Sequence, residues 1–415
     1  MKKVLIIAYH YPPLGGGGVF RTLKFTKYLP KFGFQPHVLT VKNPMYITKD
    51  PTLLREVPAE AKVCRTFSFE HRIFRAPRLL HLNLKWFHIP DENTGWFPFA
   101  VRKGEKIIKK ENIDIIYATA PINTSLLIGY LLKKKTGKPL VVDYRDPWTQ
   151  NVFVNYPTKF HRRIEEKMEK LVLTAADYII VTTEPMRLKL VEKYPFIKGK
   201  VGTITNGFDP EDFDGLARKG GKEKFIITYT GYLYGLRTGK YFFAALKELL
   251  EEKPELKSKI QVLFAGPPSK QVALLIEKLG LKNVVKILGY KSHRESLQLM
   301  ANSDVLLLII AAEESYDEKT GPLVIPGKIF EYFGAKRPIL ALVPQGITAE
   351  MIRSTKTGVI VPPKNTVSIK QTIFKLFQDW EKGNLVVESN VVEYDRKVLT
   401  AKLAKVFQHV YAEHK

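Results

Sequence analysis

Cysteine is almost absent from this chain of 415 residues. Cys64 stands alone, which excludes an internal disulfide and any cysteine-cluster metal site and fits a reducing compartment. Long apolar runs are missing too, since none approaches the 18 or more residues of a membrane-spanning helix. The opening Met1-Lys2-Lys3 before Val4 to Ala8 superficially resembles a secretory leader, but the apolar run is too short and gives way to His10 and two prolines. Acid is scarce: 41 Asp and Glu face 66 Lys and Arg, a formal net charge of +25 that implies attraction to something anionic. Nucleic acid is not favoured by that charge alone, because zinc-finger spacing, an aromatic RNA-binding signature and a basic heptad region are all lacking. What is present, 45% hydrophobic residues, excludes a disordered tail, and the length calls for two domains of about 200 residues.

The most informative stretch runs from Val4 to Leu29. An apolar run, Val4 to Ala8, leads through Tyr9-His10-Tyr11-Pro12-Pro13 into Gly15-Gly16-Gly17-Gly18, and a helical pattern of Val19, Leu23, Phe25 and Leu29 follows. Glycines leave backbone N–H groups unshielded, and a helix start adds orphan donors and partial positive charge, so Gly16, Gly17 and Gly18 are candidates to hold a phosphate or an oxyanion. A dinucleotide fingerprint is a weak match, because the strand His37 to Thr40 ends without the carboxylate that holds a ribose. A Walker loop is excluded, since Gly137-Lys138-Pro139 and Gly239-Lys240-Tyr241 lack the hydroxyl that binds magnesium.

Two successive α/β halves are legible. Strands are expected at Val4 to Ala8, His37 to Thr40, Ile113 to Tyr117, Leu140 to Asp143, Tyr178 to Val181 and Val201 to Ile204. A second set is expected at Phe225 to Thr230, Gln261 to Ala265, Val284 to Leu288, Val305 to Ile310, Ile339 to Leu342 and Val359 to Val361. Apolar, β-branched runs between helices indicate parallel sheets buried on both faces. Asn206 to Pro210 marks the boundary. A last helical pattern, Val398 to Val410, has no strand after it.

Ligands of open parallel sheets bind at the carboxyl ends of strands, and there the second half carries Gly231, Gly266 and Gly289-Tyr290. Arg237, beyond the Gly231 turn, and Lys328, at a helix start, suit a diphosphate. Glu331 could accept from ribose hydroxyls. In the first half, Asp143-Tyr144-Arg145-Asp146-Pro147-Trp148 follows a strand, with polar groups to orient a sugar and an aromatic face to stack on it; the alternative is a surface pair capped by a core tryptophan. From Arg72 to Arg102, basic residues alternate with Phe74, Leu79, Leu80, Trp86, Phe87, Trp96, Phe97 and Phe99, which suits either an anionic membrane interface or a buried insertion. Asp212-Phe213-Asp214 has the spacing of a metal-binding acid pair but reads as helix-start and loop acids, so no metal is expected.

Tyr11-Pro12-Pro13 with the glycine run and Arg21, Asn206-Gly207-Phe208-Asp209, the Gly231 to Arg237 turn and Lys328-Ile329-Phe330-Glu331-Tyr332 together resemble glycosyltransferase family 4. The resemblance implies the GT-B fold, two Rossmann-like domains with parallel sheets facing across a cleft. Residues 1–205 would be the acceptor domain, 206–387 the nucleotide-sugar domain and 388–415 a helix returning to the first domain. It places the ribose-binding carboxylate on Glu331 and the diphosphate cation on Arg237. Tyr232, Leu323 and Arg145 depart from an arginine, a glutamate and a histidine found at those places in the family, which suggests a branch handling an amino or deoxy sugar in surface-polysaccharide assembly.

The expectation is a metal-independent, cofactor-free, retaining glycosyltransferase of hexosyltransferase type, moving a sugar from a nucleoside diphosphate to a hydroxyl of a glycan or lipid-linked acceptor. Its catalytic groups would be Arg237, Lys328, Asp143 and Asp146. Donor contacts would be Gly16, Gly17, Gly18, Gly231, Arg237, Gly266, Tyr290, Lys328 and Glu331, and acceptor contacts Arg145 and Trp148. A cytoplasmic protein is expected, with attachment to an anionic inner membrane face left open and no nucleic-acid partner. A nucleotide-sugar epimerase of the same fold and a non-catalytic basic binding protein are the alternatives.

Overall fold

The computed structural model describes residues 1–44, 48–69, 88–151, 154, 156–216, 223–233, 238–267, 269–310 and 325–414. Arg237, Leu323 and the basic aromatic stretch from Arg72 to Phe87 lie outside them. The chain divides into two compact units, Met1–Asn206 with Arg396–Lys415, and Gly207–Asp395.

The first unit holds strands β1 Lys2–Ile7, β2 Phe34–Val41, β3 Lys62–Thr66, β4 Ile115–Thr119, β5 Leu140–Tyr144, β6 Tyr178–Val181 and β7 Val201–Thr203. Its helices are α1 Gly17–Tyr28, α2 Phe97–Glu111, α3 Asn123–Thr136, α4 Lys159–Ala175 and α5 Glu184–Lys193. The sheet is parallel, in the order β3-β2-β1-β4-β5-β6-β7. Side chains of β1 alternate between its faces: Leu5 and Ile7 enter one core and Val4 and Ile6 the other.

The second unit holds β8 Phe225–Thr230, β9 Ile260–Ala265, β10 Val285–Ile287, β11 Val305–Ile309, β12 Ile339–Leu342 and β13 Gly358–Val361. With them run α6 Lys240–Glu252, α7 Lys270–Lys278, α8 His293–Asn302, α9 Lys328–Ala335, α10 Ile347–Thr355 and α11 Thr366–Glu381. This sheet is also parallel, ordered β10-β9-β8-β11-β12-β13. The final helix, α12 Arg396–Glu413, belongs to the first unit. Its Leu399, Leu403, Phe407 and Val410 join the core against β1 and β4, with the Phe407 ring 5.4 Å from Phe34 and 5.6 Å from Tyr117. Residues 388–395 stay with the second unit, because Val391 and Tyr394 are buried in its core and Asn390 N–H donates to the Thr355 carbonyl.

In each sheet the strand order reverses beside the first strand, between β1 and β4 and between β8 and β11. Those reversals open crevices at the carboxyl ends of the strands, where ligands of such sheets bind. Both glycine-bearing ends found in the sequence lie at these points.

The first unit is fastened by a fully buried ion pair. Arg21, one turn into α1, donates Nε to Asp143 Oδ2 at 2.9 Å and Nη2 to Oδ1 at 2.8 Å, and both side chains have no exposed surface. Arg21 also donates to the carbonyls of Ile204 at 2.9 Å and Thr205 at 2.7 Å. Tyr117 and Thr119 hydroxyls donate to Asp143 Oδ2 at 2.7 and 2.8 Å. Burial pushes the Asp143 carboxyl up, but the Arg21 charge and these donors outweigh it and hold the group below its ordinary value. Asp143→Asn would leave the guanidinium buried without a counter-charge, so denaturant unfolding should show a loss of about 3–5 kcal/mol. A loss under about 1 kcal/mol would show that the pair is dispensable to the fold.

Candidate functional site

After β1 the chain passes buried Tyr9 and half-buried His10 and Gly16 to the start of α1. Gly16 caps that helix at φ 84°, a conformation that favours glycine, and offers no side-chain cap to the first-turn N–H groups. Gly17 is exposed. Arg145, just beyond β5, reaches across from the side: its Nη1 donates to the Gly18 carbonyl at 2.5 Å and its Nη2 to the Gly17 carbonyl at 3.2 Å. Arg145 therefore grips the glycine loop itself.

His10 lies against the same turn, since a Cβ on Gly18 would meet its Nδ1 at 2.5 Å. Burial, with the Arg145 charge adding to it, lowers the His10 pKa to about 4, so the ring is neutral near pH 7. Asp146 is exposed, yet the protein surrounding it raises its pKa, with Arg145 opposing.

Two side chains are placed otherwise than the sequence suggests. Trp148 is 2% exposed, packs in the core with Tyr144 and Val181, and donates Nε1 to Glu165 Oε2 at 2.8 Å. Its ring presents no face for stacking on a sugar; the β5 exit turns inward there because α4 supplies a buried acceptor. Asp143 is fully buried, with both oxygens engaged by Arg21, Tyr117 and Thr119. Trp96 of the basic aromatic stretch is likewise fully buried and donates to Thr66 Oγ1 at 2.7 Å, so that residue is core and not membrane interface.

In the second unit, adjacent strand ends close on one another through glycines. Gly231 N–H donates to the Ala265 carbonyl at 2.7 Å, and Gly266 bridges Gly289. Gly266 has φ 144°, and a Cβ there would sit 2.2 Å from the Gly231 carbonyl oxygen. Backbone therefore lies where other residues would put side chains. Lys328 opens α9 and extends to this edge, donating to the Thr230 carbonyl. Its ammonium lies 3.7 Å over the Tyr229 ring and 3.0 Å from the position of a Cβ on Gly231.

Tyr332, one turn further, is fully buried. Its hydroxyl donates to the Leu307 carbonyl at 3.0 Å and accepts from Thr230 N–H at 3.2 Å, which sets the register of α9 against β8 and β11. Glu331 is 28% exposed and faces His293, the first residue of α8, at 3.7 Å from Oε1 to Nδ1. The other ring nitrogen of His293 lies 3.8 Å from Asp212 Oδ2. Tyr290, 57% exposed, follows Gly289. Gly231, Gly266 and Lys328 are thus assembled at one sheet edge, and Glu331 lies one turn along α9 from Lys328. His10 and His293 escaped the sequence reading: the first hides in an aromatic and proline run, the second behind the capping box of Ser292 and Glu295.

Two parallel α/β units, each with a glycine-lined strand edge at the point of order reversal, are the plan of the GT-B fold. A family model described as Glycosyltransferase Family 4 matches residues 15–212, and one described as Glycosyl transferases group 1 matches residues 216–390. The two models together span most of the chain, which is a GT-B glycosyltransferase similar to family 4. It is similar to the alpha-D-kanosaminyltransferase of Streptomyces kanamyceticus, with 21% identity over 298 residues that cover 68% of this chain and 73% of that protein. It is also similar to the D-inositol 3-phosphate glycosyltransferase of Streptomyces avermitilis, with 25% identity over 208 residues; this match takes in 46% of this chain and only 42% of the relative. Among solved structures, a glycosyltransferase from Rickettsia africae shares the fold at a TM-score of 0.66 and 18% identity, covering 99% of this chain and 98% of that one.

The neutral His10 gives a pH signature. Its folded pKa lies below the unfolded value of about 6.5, so its contribution to stability is fully present above that value and is lost as pH falls toward 4. His10→Gln should flatten the decline in unfolding free energy between pH 6.5 and 4 relative to the wild type. Parallel curves in urea titrations at pH 7, 5.5 and 4.5 would show that His10 carries no such load.

Proposed function

We propose that this enzyme transfers a sugar from a nucleoside diphosphate to a hydroxyl acceptor, with retention of configuration and without a metal. The observation that carries this reading is the pairing of a cation with bare backbone: the Lys328 ammonium beside Gly231, at a strand end packed against Gly266. A diphosphate can approach that edge closely, and its charge is met by the ammonium and by N–H groups at the uncapped start of α9. Arg237 is proposed as a second cation on the strength of the family resemblance. Glu331, one turn along α9, accepts from ribose hydroxyls.

In the proposed step the acceptor oxygen bonds to the anomeric carbon on the face from which the phosphate oxygen departs. The acceptor proton passes to that departing oxygen. Retention rests on the resemblance. Asp143 acts through Arg21 as a positioning residue, while the exposed Asp146 carboxyl and the neutral His10 imidazole are the polar groups proposed to meet the acceptor. The kanosaminyltransferase relative is in keeping with an amino-sugar donor. Thermal shift across nucleoside diphosphate sugars would identify the donor, since a ligand that binds only the folded state raises its stability. Donor incubated alone should stay unisomerised; conversion without acceptor would instead establish an epimerase.

Glu331→Ala should weaken nucleoside diphosphate affinity by roughly 1.5–3 kcal/mol in calorimetry, the worth of hydrogen bonds to a charged group. Unchanged affinity would remove Glu331 from the ribose.

Lys328 should serve the transition state more than the ground state, because the diphosphate gains charge only as the glycosidic bond breaks. Lys328→Ala should lower kcat by about 100-fold or more with a smaller rise in the donor KM, and saturating EDTA should leave wild-type kcat unaltered. Normal turnover with weaker donor binding would reduce Lys328 to a phosphate anchor, and loss of activity in EDTA would overturn metal independence.

A further inference from the structure

A groove of about 710 Å³ runs between α3 and α4 of the first unit, lined by Tyr130, Lys133, Lys134, Lys167, Lys170 and Leu171 among others. It lies away from the glycine loop. The last turns of α3 lead into β5 and those of α4 into β6, so the groove sits at the amino ends of the strands, opposite the edge that carries Arg145.

Its residues form two matched stripes. Lys167, Lys170, Leu171 and Thr174 recur at three- and four-residue steps along α4, and Tyr130, Lys133 and Lys134 do the same on α3. The opposite stripe of α4, His161, Glu165, Glu169 and Val172, is buried. Lys133 is neutralised by Asp177 at 2.5 Å. Lys134, Lys167 and Lys170 are exposed and form no ion pair among the described residues. Helix-dipole complementarity accounts for Lys134, in the last turn of α3, but not for Lys167 and Lys170, since the last turn of α4 holds no basic residue. Between these ammonium groups the floor is apolar, with Leu171 left 49% exposed beside the Tyr130 ring.

Cations above an apolar floor fit an amphiphile with an anionic head. We propose that this groove binds anionic phospholipid at a bilayer surface, with the head group on Lys134, Lys167 and Lys170 and the first methylenes over Tyr130 and Leu171. Charge complementarity selects the occupant: lysine meets phosphate as a point charge, and each lysine held near an anionic surface strengthens attachment about fivefold. The site is separate from the donor machinery, so its failure would leave the proposed transfer reaction standing.

The test is co-sedimentation of the full chain with vesicles of phosphatidylglycerol in phosphatidylcholine, against phosphatidylcholine alone. The triple change Lys134→Gln, Lys167→Gln, Lys170→Gln should lower partitioning to the anionic vesicles on the order of 100-fold, while the corresponding triple change to Arg keeps it. Lys103→Gln, Lys106→Gln and Lys110→Gln remove the same charge from exposed positions on α2 and should cost far less. Equal loss in the α2 variant would overturn the groove in favour of net charge alone. Wild-type partitioning by the groove variant, or equal binding to neutral vesicles, would overturn it outright. Full displacement by millimolar glycerol 3-phosphate would overturn the bilayer as the source of the phosphate.

Discussion

The buried pair of Arg21 and Asp143 is the constraint on which the first unit depends. Desolvating two charges costs several kcal/mol per ion, and the arrangement holds because every polar group involved has a partner. The pair joins three things distant in sequence: the first turns of α1, the carboxyl end of β5 and the stretch from Ile204 to Thr205 where the chain leaves the unit. Arg145 answers it from the other side, running from β5 back to the carbonyls of Gly17 and Gly18. A glycine loop is free to wander on its own; Arg145 binds two of its carbonyls, and Arg21 ties down the helix that follows it. At position 145, where the family resemblance implies a histidine, a guanidinium fixes the loop.

Much of the fold was legible because buried parallel strands are written as apolar runs. Tyr178–Val181, Phe225–Thr230 and Ile339–Leu342 fall where the runs lie. β3 was not legible. Lys62-Val63-Cys64-Arg65-Thr66 is an edge strand, mostly half-buried, and its charges have local uses: Lys62 pairs with Glu111 and Arg65 donates to the Pro12 carbonyl. Edge strands carry such charges as protection against pairing with other chains, and that protection erases the apolar signal. The place where the chain recrosses was misjudged for a related reason: residues 388–395 are polar in composition, and their attachment to the second unit rests on two buried side chains and backbone bonds that no periodicity announces.

The site was legible in its glycines and less so in its polar side chains. A glycine is informative because its cause is geometric, as the 2.2 Å approach at Gly266 shows. A tryptophan is ambiguous, because one ring serves either to stack on a ligand or to fill a core; Trp148 fills a core because Glu165 is buried within reach of its indole nitrogen. Acid at position 143 was ambiguous in the same way, and its partner, Arg21, lies 122 residues away in sequence. Neither His10 nor His293 carries a spacing that sequence alone can decode, since each acquires its neighbours only when strand ends converge.

Helix starts reveal where the chain gives up stability for access. α4, α5, α7, α8 and α11 begin on Thr158, Thr183, Ser269, Ser292 and Asn365, each of whose side chains caps a backbone N–H. By contrast α1, α6 and α9, which open at the carboxyl edges around β1, β8 and β11, begin on Gly16, Gly239 and Gly327 with no side-chain cap. A side-chain cap stabilises a helix by about 0.5–2 kcal/mol over alanine, whereas glycine as the cap forfeits only a few tenths. Glycine thus leaves first-turn donors without a side-chain partner at little cost. Gly346 does the same at α10, after β12, so the absence of a cap alone does not mark a site. What distinguishes α1 and α9 is the second ingredient, a cation fixed at the same turn: Arg145 on the carbonyls of Gly17 and Gly18, and Lys328 against Gly231. Charge held close to unshielded backbone suits the diphosphate proposed as leaving group, and in these two units it is built from residues that also hold the fold's own loops and strand ends.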